Sequence, residues 1–260
     1  MASAAKSVGL RIGSILLLIL LWWMASELVR DPDVLPGPVA ILRAIAIDLT
    51  TPGPEGKSAY FDIGITLLRI FVAFFAAMVA GIGLGLAMAL NRILQRSLLA
   101  VIPLALTMPT ILMVFLAVLW FGYSEAGGLV AVMAVVTPYV TVNMYEGASA
   151  MDKSLIDMAV AFKARRPLLL RRLYLPQLMP YICAASRFGF GMTWKIVALA
   201  ETFGLKYGIG YMFFFWFEQF DMTQVLAWVI MFVVLMLILE HSVFAPLERR
   251  AFAWRISHAL

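Results

Sequence analysis

Long apolar stretches alternate with short polar connections along the chain. Six of them approach or exceed the roughly 20 residues that a helix needs to cross the hydrocarbon core of a bilayer. Backbone groups in hydrocarbon must be hydrogen-bonded within their own segment, so these stretches predict α-helices. The predicted spans are 10–29, 64–90, 98–121, 127–145, 180–204 and 222–246.

Composition excludes a soluble domain. Of the 260 residues, 63% are hydrophobic and only 13% are charged, whereas a typical soluble domain has about 25% charged residues. The predicted fold class is therefore an all-α polytopic membrane protein with about six transmembrane helices, forming a single domain over residues 1–260. The one cysteine, Cys183, lies in an apolar stretch, which predicts a packing role, no internal disulfide and no metal site.

The basic residues orient the predicted helices. With the N-terminus in the cytoplasm, thirteen lysines and arginines fall on the cytoplasmic side, four fall on the outer side, and three lie in or near spans. This bias predicts that both termini are cytoplasmic, and it accounts for the net charge of +5 without a nucleic-acid partner. The thirteen are Lys6, Arg11, Arg92, Arg96, Lys153, Lys163, Arg165, Arg166, Arg171, Arg172, Arg249, Arg250 and Arg255, and the four are Arg30, Arg43, Lys57 and Lys206.

Several local patterns predict how the helices begin, bend and pack. Residues 39–49 have apolar side chains at helical spacing after a proline-rich turn, which predicts a short interfacial helix. Residues 211–220 form a dense aromatic cluster, which is typical of the headgroup level. Ala77, Gly81 and Gly85 are four residues apart, a spacing that lets membrane helices approach closely. Three prolines inside the third and fourth predicted spans each predict a bend. These are Pro103, Pro109 and Pro138.

The longest cytoplasmic connection covers residues 146–179. Within it, residues 155–162 predict a short amphipathic helix, and residues 168–175 alternate apolar side chains with arginines. Taken by itself, this connection is typical of a basic segment that lies along a membrane surface.

The same connection resembles the EAA loop of binding-protein-dependent ABC permeases. The family pattern is Glu-Ala-Ala, three residues, Gly, nine residues and Ile-x-Leu-Pro, and Asp157-Met158-Ala159, Lys163 and Leu173-Tyr174-Leu175-Pro176 follow its spacing. Asp157, Met158 and Lys163 depart from the family's Glu, Ala and Gly. From about Leu35 to Trp254 the chain is similar to the permeases of the nitrate, sulfonate and taurine importer group. The other shared features are Leu35-Pro36-Gly37-Pro38, Trp120-Phe121-Gly122, Ala200-Glu201, Gly208-Ile209-Gly210-Tyr211, Glu248-Arg249-Arg250 and Trp254.

This resemblance implies the type I permease fold of ABC importers and a place among the lipids of a bacterial inner membrane. The chain would form the substrate pathway as a dimer, with a second copy or a paralogue. Two partner ATPase subunits would bind ATP and Mg²⁺, and a periplasmic substrate-binding protein would deliver the substrate. The chain itself would be no enzyme and hold no cofactor. The importer group implies a small anion such as a sulfonate, taurine or nitrate, with a vitamin precursor as the alternative.

In such permeases a short helix of the EAA loop sits in a groove on the ATPase subunit, and the resemblance implies the same role here. The expected coupling residues are Ile156, Asp157, Ala159, Phe162, Lys163, Leu175 and Pro176.

Two charged residues of the fifth predicted span, Lys195 and Glu201, are expected along the translocation pathway. Charges are costly in hydrocarbon and favour the interior of a helix bundle, and Lys195 suits an anionic substrate. Pairing with a neighbouring helix or snorkelling to the interface is the alternative. Because they lie about 240° apart around a helix, the two residues are not expected to pair.

Two other functional classes compete with an importer subunit. An ion-coupled secondary transporter would show inverted repeats, which the sequence lacks. An intramembrane enzyme would need a catalytic pair, but Ser186 and Lys195 would face opposite sides of one helix. Residues 53–58 resemble a phosphate-binding loop but have two residues between their glycines, where that loop has four. Uphill transport would therefore need an ion gradient or a separate ATPase.

Overall fold

The computed structural model describes residues 2–54, 56–163, 165–244 and 246, and their side chains except at residues 2–9, 11, 12, 153, 156, 160, 166, 170, 243 and 244. Within these ranges the chain is helical and has no β-strand, which confirms the all-α prediction. The helices are α1 Ala2–Val29, α2 Pro38–Thr50, α3 Ala59–Leu90, α4 Arg92–Thr107, α5 Thr110–Phe121, α6 Glu125–Ser149, α7 Lys153–Ala161, α8 Arg166–Leu169, α9 Leu175–Gly204, α10 Ile209–Glu218 and α11 Met222–Leu239.

Two short π-helical turns extend these helices. One, Leu170–Tyr174, joins α8 to α9, and the other, Glu240–Phe244, follows α11. The family-like residues Glu248-Arg249-Arg250 and Trp254 lie outside the described residues.

Three of the described helical segments are long and apolar enough to cross a membrane: α3, α6 and Met222–Ser242. The pair α4 and α5 would make a fourth span, and Gly13–Val29 is a shorter apolar helix. Helix α9 contains the fifth predicted span, 180–204.

The third predicted span, residues 98–121, falls on two helices, and the bend predicted at Pro109 is confirmed. Helices α4 and α5 meet at a bend of 102°. Met108 between them is extended, with ψ 131°, and Pro109 begins the new helix. The residue before a proline is driven out of the helical region, which explains the break. Pro103 and Pro138 lie inside α4 and α6 without ending them.

One compact unit comprises Met1–Gly64 and Tyr207–Leu235. Helix α2 lies at the position predicted for the short helix at residues 39–49, and its first residue is Pro38, whose fixed φ suits a helix start. Its buried residues Ile41 and Ala44 pack with Ala227 of α11.

The aromatic stretch of this unit is ordered as helix α10. Ile209 and Met212 of this helix pack against the buried Trp228 of α11. Just before α10, the carboxylate of Asp62 accepts a hydrogen bond from the Gly208 N–H at 2.9 Å. Gly208 has φ 116°, a conformation that favours glycine and lets its N–H reach Asp62.

The second compact unit comprises Ile65–Lys206 and Met236–Leu260. The predicted close approach of small residues is confirmed here, between α3 and α6. A Cβ atom added to Gly81 would lie 2.5 Å from Cβ of Val140, and one added to Gly85 would lie 2.6 Å from Cβ of Met144. Glycine at these positions lets the two backbones come together. That residues 1–260 form one domain stays a prediction.

Candidate functional site

The connection predicted to be cytoplasmic contains a well-formed helix start. The carboxylate of Asp152 accepts hydrogen bonds from the Ser154 N–H at 2.9 Å and the Ser154 hydroxyl at 2.7 Å. These bonds cap α7 and lower the pKa of Asp152. The Asp152 N–H donates to the side-chain carbonyl of Gln177 at 2.9 Å, so the start of α7 is tied to α9.

Helix α7 presents apolar side chains to solvent. Leu155, Met158 and Phe162 follow one another at spacings of three and four, so they share one face, and all three are exposed. The side chain of Phe162 is the most open of them, at 81%. An exposed apolar face on a short helix is typical of a surface that binds a groove on another protein.

The expected coupling residues divide between this helix and the next. Asp157, Phe162 and Lys163 are exposed, Ala159 is half-buried, and Leu175 and Pro176 begin α9. Ile156 lies in α7, with its side chain outside the described part.

Lys163 has the backbone conformation that glycine usually supplies. Its φ is +50°, in the left-handed region that side chains other than glycine disfavour. It stands where the family pattern has Gly, two residues after Ala161, the last residue of α7. The tight turn is therefore kept, with a lysine in a strained conformation.

The helix after this turn is unbroken from Arg166 to Gly204. It consists of α8, the π-helical turn Leu170–Tyr174 and α9, and is about 58 Å long at 1.5 Å per residue. The second half of the connection predicted to be cytoplasmic and the predicted fifth span therefore belong to one continuous helix.

A charge network lies towards the other end of α9. Arg69 of α3 donates from Nη1 to Glu201 at 2.8 Å, and from Nε and Nη2 to Glu125 at 2.8 and 2.6 Å. The hydroxyl of Thr66 lies 2.9 Å from both carboxylate oxygens of Glu201. Glu201 is fully buried, whereas the side chain of Glu125 is 65% exposed. One arginine thus holds α3, α6 and α9 together.

A cavity of about 360 Å³ lies beside this network. Arg69 and Glu125 are its charged lining residues, and Leu68, Val72 and Leu129 are among its apolar ones. The network therefore forms the polar edge of an otherwise apolar space.

Lys195 lies on a different face of α9 from Glu201. Its side chain is exposed, with Nζ 5.3 Å from the centroid of the Trp194 ring. Arg187 and Phe188 are also exposed on this helix. As expected, the structure does not bring Lys195 and Glu201 together.

Sequence reasoning missed Arg69, Glu125 and Thr66. Arg69 and Glu201 are 132 residues apart, so no local spacing indicates their pairing. A lone arginine early in an apolar span was the one available signal, because such a charge needs a partner.

Comparison with known proteins supplies the family. The model of a family described as binding-protein-dependent transport system inner membrane component matches residues 65–248. The taurine transport system permease protein TauC of Escherichia coli is 28% identical over 254 residues, which cover 96% of this chain and 91% of TauC. The formylaminopyrimidine transport permease protein ThiX of Halalkalibacterium halodurans is also 28% identical, over 92% of this chain and 93% of its own.

A solved structure has the same fold. A chain of the MetNI methionine ABC transporter, in an inward-facing conformation, superposes with a TM-score of 0.64 at 15% identity. The match covers 74% of this chain and 95% of that one. The type I permease fold is thereby confirmed.

Proposed function

Because this chain belongs to the family of inner-membrane components of binding-protein-dependent transport systems, we propose that it forms a substrate pathway with a second permease and receives ATP-driven motion through α7. It is the permease subunit of an ABC importer in the bacterial inner membrane, and separate subunits hydrolyse ATP. Two ATPase subunits, carrying ATP and Mg²⁺, dock on the cytoplasmic connections of the permease pair. A periplasmic binding protein delivers the substrate.

The exposed apolar face of α7 supports this coupling role. Leu155, Met158 and Phe162 are exposed in the isolated chain, and burying apolar side chains against a partner is favourable. The helix is also held at both ends, by the Asp152 cap and by the turn at Lys163. A short, fixed, apolar helix can transmit a displacement of its partner to α9.

Co-purification with the ATPase subunit tests the coupling role. The tagged permease is purified from membranes of its native host, and the nucleotide-binding subunit that accompanies it is quantified. We expect Met158→Ser with Phe162→Ser to lower the recovered ATPase at least tenfold, because two apolar anchors are lost. Ala159→Trp should do the same by a steric clash.

Phe220→Ser is the matched control, because Phe220 is equally exposed but lies in the other compact unit, after α10. It should leave ATPase recovery unchanged. Full recovery of the ATPase with the α7 variants would refute the proposed coupling surface.

The exposed side of α9 supports a pathway role for Lys195. Lys195 is nine residues from Gly204, so it lies about 14 Å below the outer end of the helix. A charge at such depth costs about 2.5–3.5 kcal/mol when it faces lipid, so this face fits a water-filled pathway. Glu201 is buried with Arg69 and, in this conformation, supports the pathway wall.

The substrate proposed is a small organic anion such as a sulfonate or taurine, and a vitamin precursor is the second candidate. The name of TauC and the cation at Lys195 support the anion, and the name of ThiX supports the alternative. Uptake of radiolabelled taurine by cells that depend on this importer should fall at least tenfold with Lys195→Gln and persist with Lys195→Arg. Equal taurine uptake by the wild type and Lys195→Gln would argue against an anion site at Lys195.

A further inference from the structure

The cytoplasmic end of the long helix carries exposed arginines next to exposed leucines. Leu168 and Arg172 are four residues apart in the helix, and Arg165 precedes its first residue, Arg166. Arg171 and Leu175 are again four residues apart. All five side chains are exposed. An arginine beside an apolar neighbour can bind a headgroup while the neighbour contacts acyl chains.

The stretch of sequence that carries these arginines has no acidic residue. Between Asp157 and Glu201 the sequence contains no aspartate or glutamate. Arg165, Arg171 and Arg172 form no ion pair within the part of the chain that the structure describes. Three guanidinium groups therefore remain available for an anion outside the chain.

The position along the helix matches the inner face of the membrane. The predicted span begins at residue 180, and Arg172 precedes it by eight residues, or about 12 Å of helix. The headgroup layer is about 5–8 Å thick on each side of a bilayer. Arginine side chains reach back towards this layer along the apolar surface.

We propose that Arg171 and Arg172, with Leu168 and Leu175 beside them, bind the headgroup of an anionic phospholipid of the inner leaflet. The phosphate and the guanidinium fork match in geometry and charge. The site lies between the α7 turn and the predicted span, so bound lipid fixes the depth at which the long helix leaves the membrane.

Lipid binding to the purified full-length chain tests this site. The chain in dodecyl maltoside is titrated with phosphatidylglycerol or with phosphatidylcholine of the same acyl chains, and retained lipid is measured by native mass spectrometry. We expect tighter binding of phosphatidylglycerol, and about 30-fold weaker binding after Arg171→Gln with Arg172→Gln, because each arginine near an anionic surface contributes roughly a fivefold factor. Inorganic phosphate should compete poorly, because it lacks acyl chains.

Arg92→Gln with Arg96→Gln is the matched control, since both arginines are exposed at the cytoplasmic end of α4. It removes the same charge and should change phosphatidylglycerol binding less than threefold. Arg171→Lys with Arg172→Lys keeps the charge and should bind phosphatidylglycerol more weakly than the wild type but more tightly than the glutamine variant. If the glutamine variant fails to fold, the lysine variant replaces it in the test.

Three outcomes would overturn the lipid site. The first is unchanged phosphatidylglycerol binding by the glutamine variant. The second is an equal loss in the Arg92 and Arg96 control, which would show a general charge effect. The third is loss of the ATPase subunit with lipid binding intact, which would assign these arginines to a protein interface while leaving the coupling role of α7 standing.

Discussion

At the scale of single residues, the chain places charged side chains where they are costly and pairs them. Glu201 is fully buried, and Arg69 and Thr66 donate hydrogen bonds to its carboxylate. A buried ion pair is weak evidence for stability, because desolvation offsets the attraction, but removing one partner leaves a charge uncompensated. Arg69 is therefore the residue that links Glu201 of α9 and Glu125 of α6 to α3.

Replacing Arg69 alone should be more damaging than replacing the pair. We expect Arg69→Met to lower the free energy of unfolding by about 3–5 kcal/mol, because Glu201 would stay buried without its cation. Arg69→Met with Glu201→Met should regain most of this loss. Thermal unfolding of the purified chain in detergent measures both variants.

Glu125→Gln is the control, because this partner of Arg69 is largely exposed. It should lower the free energy of unfolding by no more than about 1 kcal/mol, which is what exposed ion pairs contribute. A double variant as unstable as Arg69→Met would show that the damage comes from lost packing and not from the buried charge.

Asp48 makes the first compact unit sensitive to pH. Burial raises the pKa of its carboxyl to about 6, a hydrogen bond with Gln224 opposes the rise, and the charge of Asp221 adds to it. The folded chain then holds a proton that the unfolded chain releases nearer pH 4. The free energy of unfolding therefore falls as pH rises from about 4 to about 6.

Asp48→Asn should remove this dependence. We expect the variant to exceed the wild type in stability by about 1 kcal/mol at pH 7.5, after allowance for the half-exposed site, and by less at pH 5. Thermal unfolding at the two pH values measures the difference. Asp33→Asn, at an exposed acid, is the control, and an equal gain at both pH values would contradict the assignment to Asp48.

At the scale of helices, glycines set how closely α3 and α6 pack. A Cβ on Gly85 would lie 2.6 Å both from Cβ of Met144 and from the carbonyl oxygen of Thr141. Backbone oxygen cannot move aside as a side chain can, so the helices themselves would have to separate. Gly83, on the same helix, has open space around it.

Gly85→Ala and Gly83→Ala should therefore have opposite effects. We expect Gly85→Ala to destabilise the fold by about 1–3 kcal/mol through overpacking. Gly83→Ala should be neutral or stabilising by up to about 1 kcal/mol, because alanine favours helix. Thermal unfolding of the two variants in the same detergent makes the comparison, and similar effects would mean that α3 and α6 are not in close contact.

Sequence patterns predict these helices well where the signal is local. The short helix α2, the close approach at Gly81 and Gly85, and the all-α class each follow from spacing within one segment. The sequence predicts a bend at each of three prolines but does not show which of them breaks its helix. Pro109 does, whereas Pro103 and Pro138 lie inside continuous helices. The pairing of Arg69 with Glu201 depends on tertiary packing, which no periodicity encodes.

At the scale of the whole molecule, the transport role requires a fixed orientation in the membrane. Phe162 after α7 and Phe220 after α10 are similarly exposed, at 81% and 84%, but the charge bias predicts that they lie on opposite sides. The chain has one cysteine, Cys183, so one substitution gives a cysteine-free background.

Single cysteines at these two positions should report the orientation. In a Cys183→Ala chain, we expect a membrane-impermeant maleimide to label Phe162→Cys in inside-out vesicles and Phe220→Cys in right-side-out vesicles. Labelling is read by the mass shift of the protein. The reverse pattern would place the coupling helix outside the cell and end the importer interpretation.

The unbroken helix from Arg166 to Gly204 has a mechanical consequence. Arg69 clamps it at Glu201, which can act as a fulcrum, about 44 Å from Arg172 but only about 9 Å from Lys195. If the helix tilts as a rigid body about Glu201, a displacement of about 5 Å at Arg172 moves Lys195 by about 1 Å. A large displacement of the inner end would therefore become a small displacement at Lys195, the residue proposed to line the pathway.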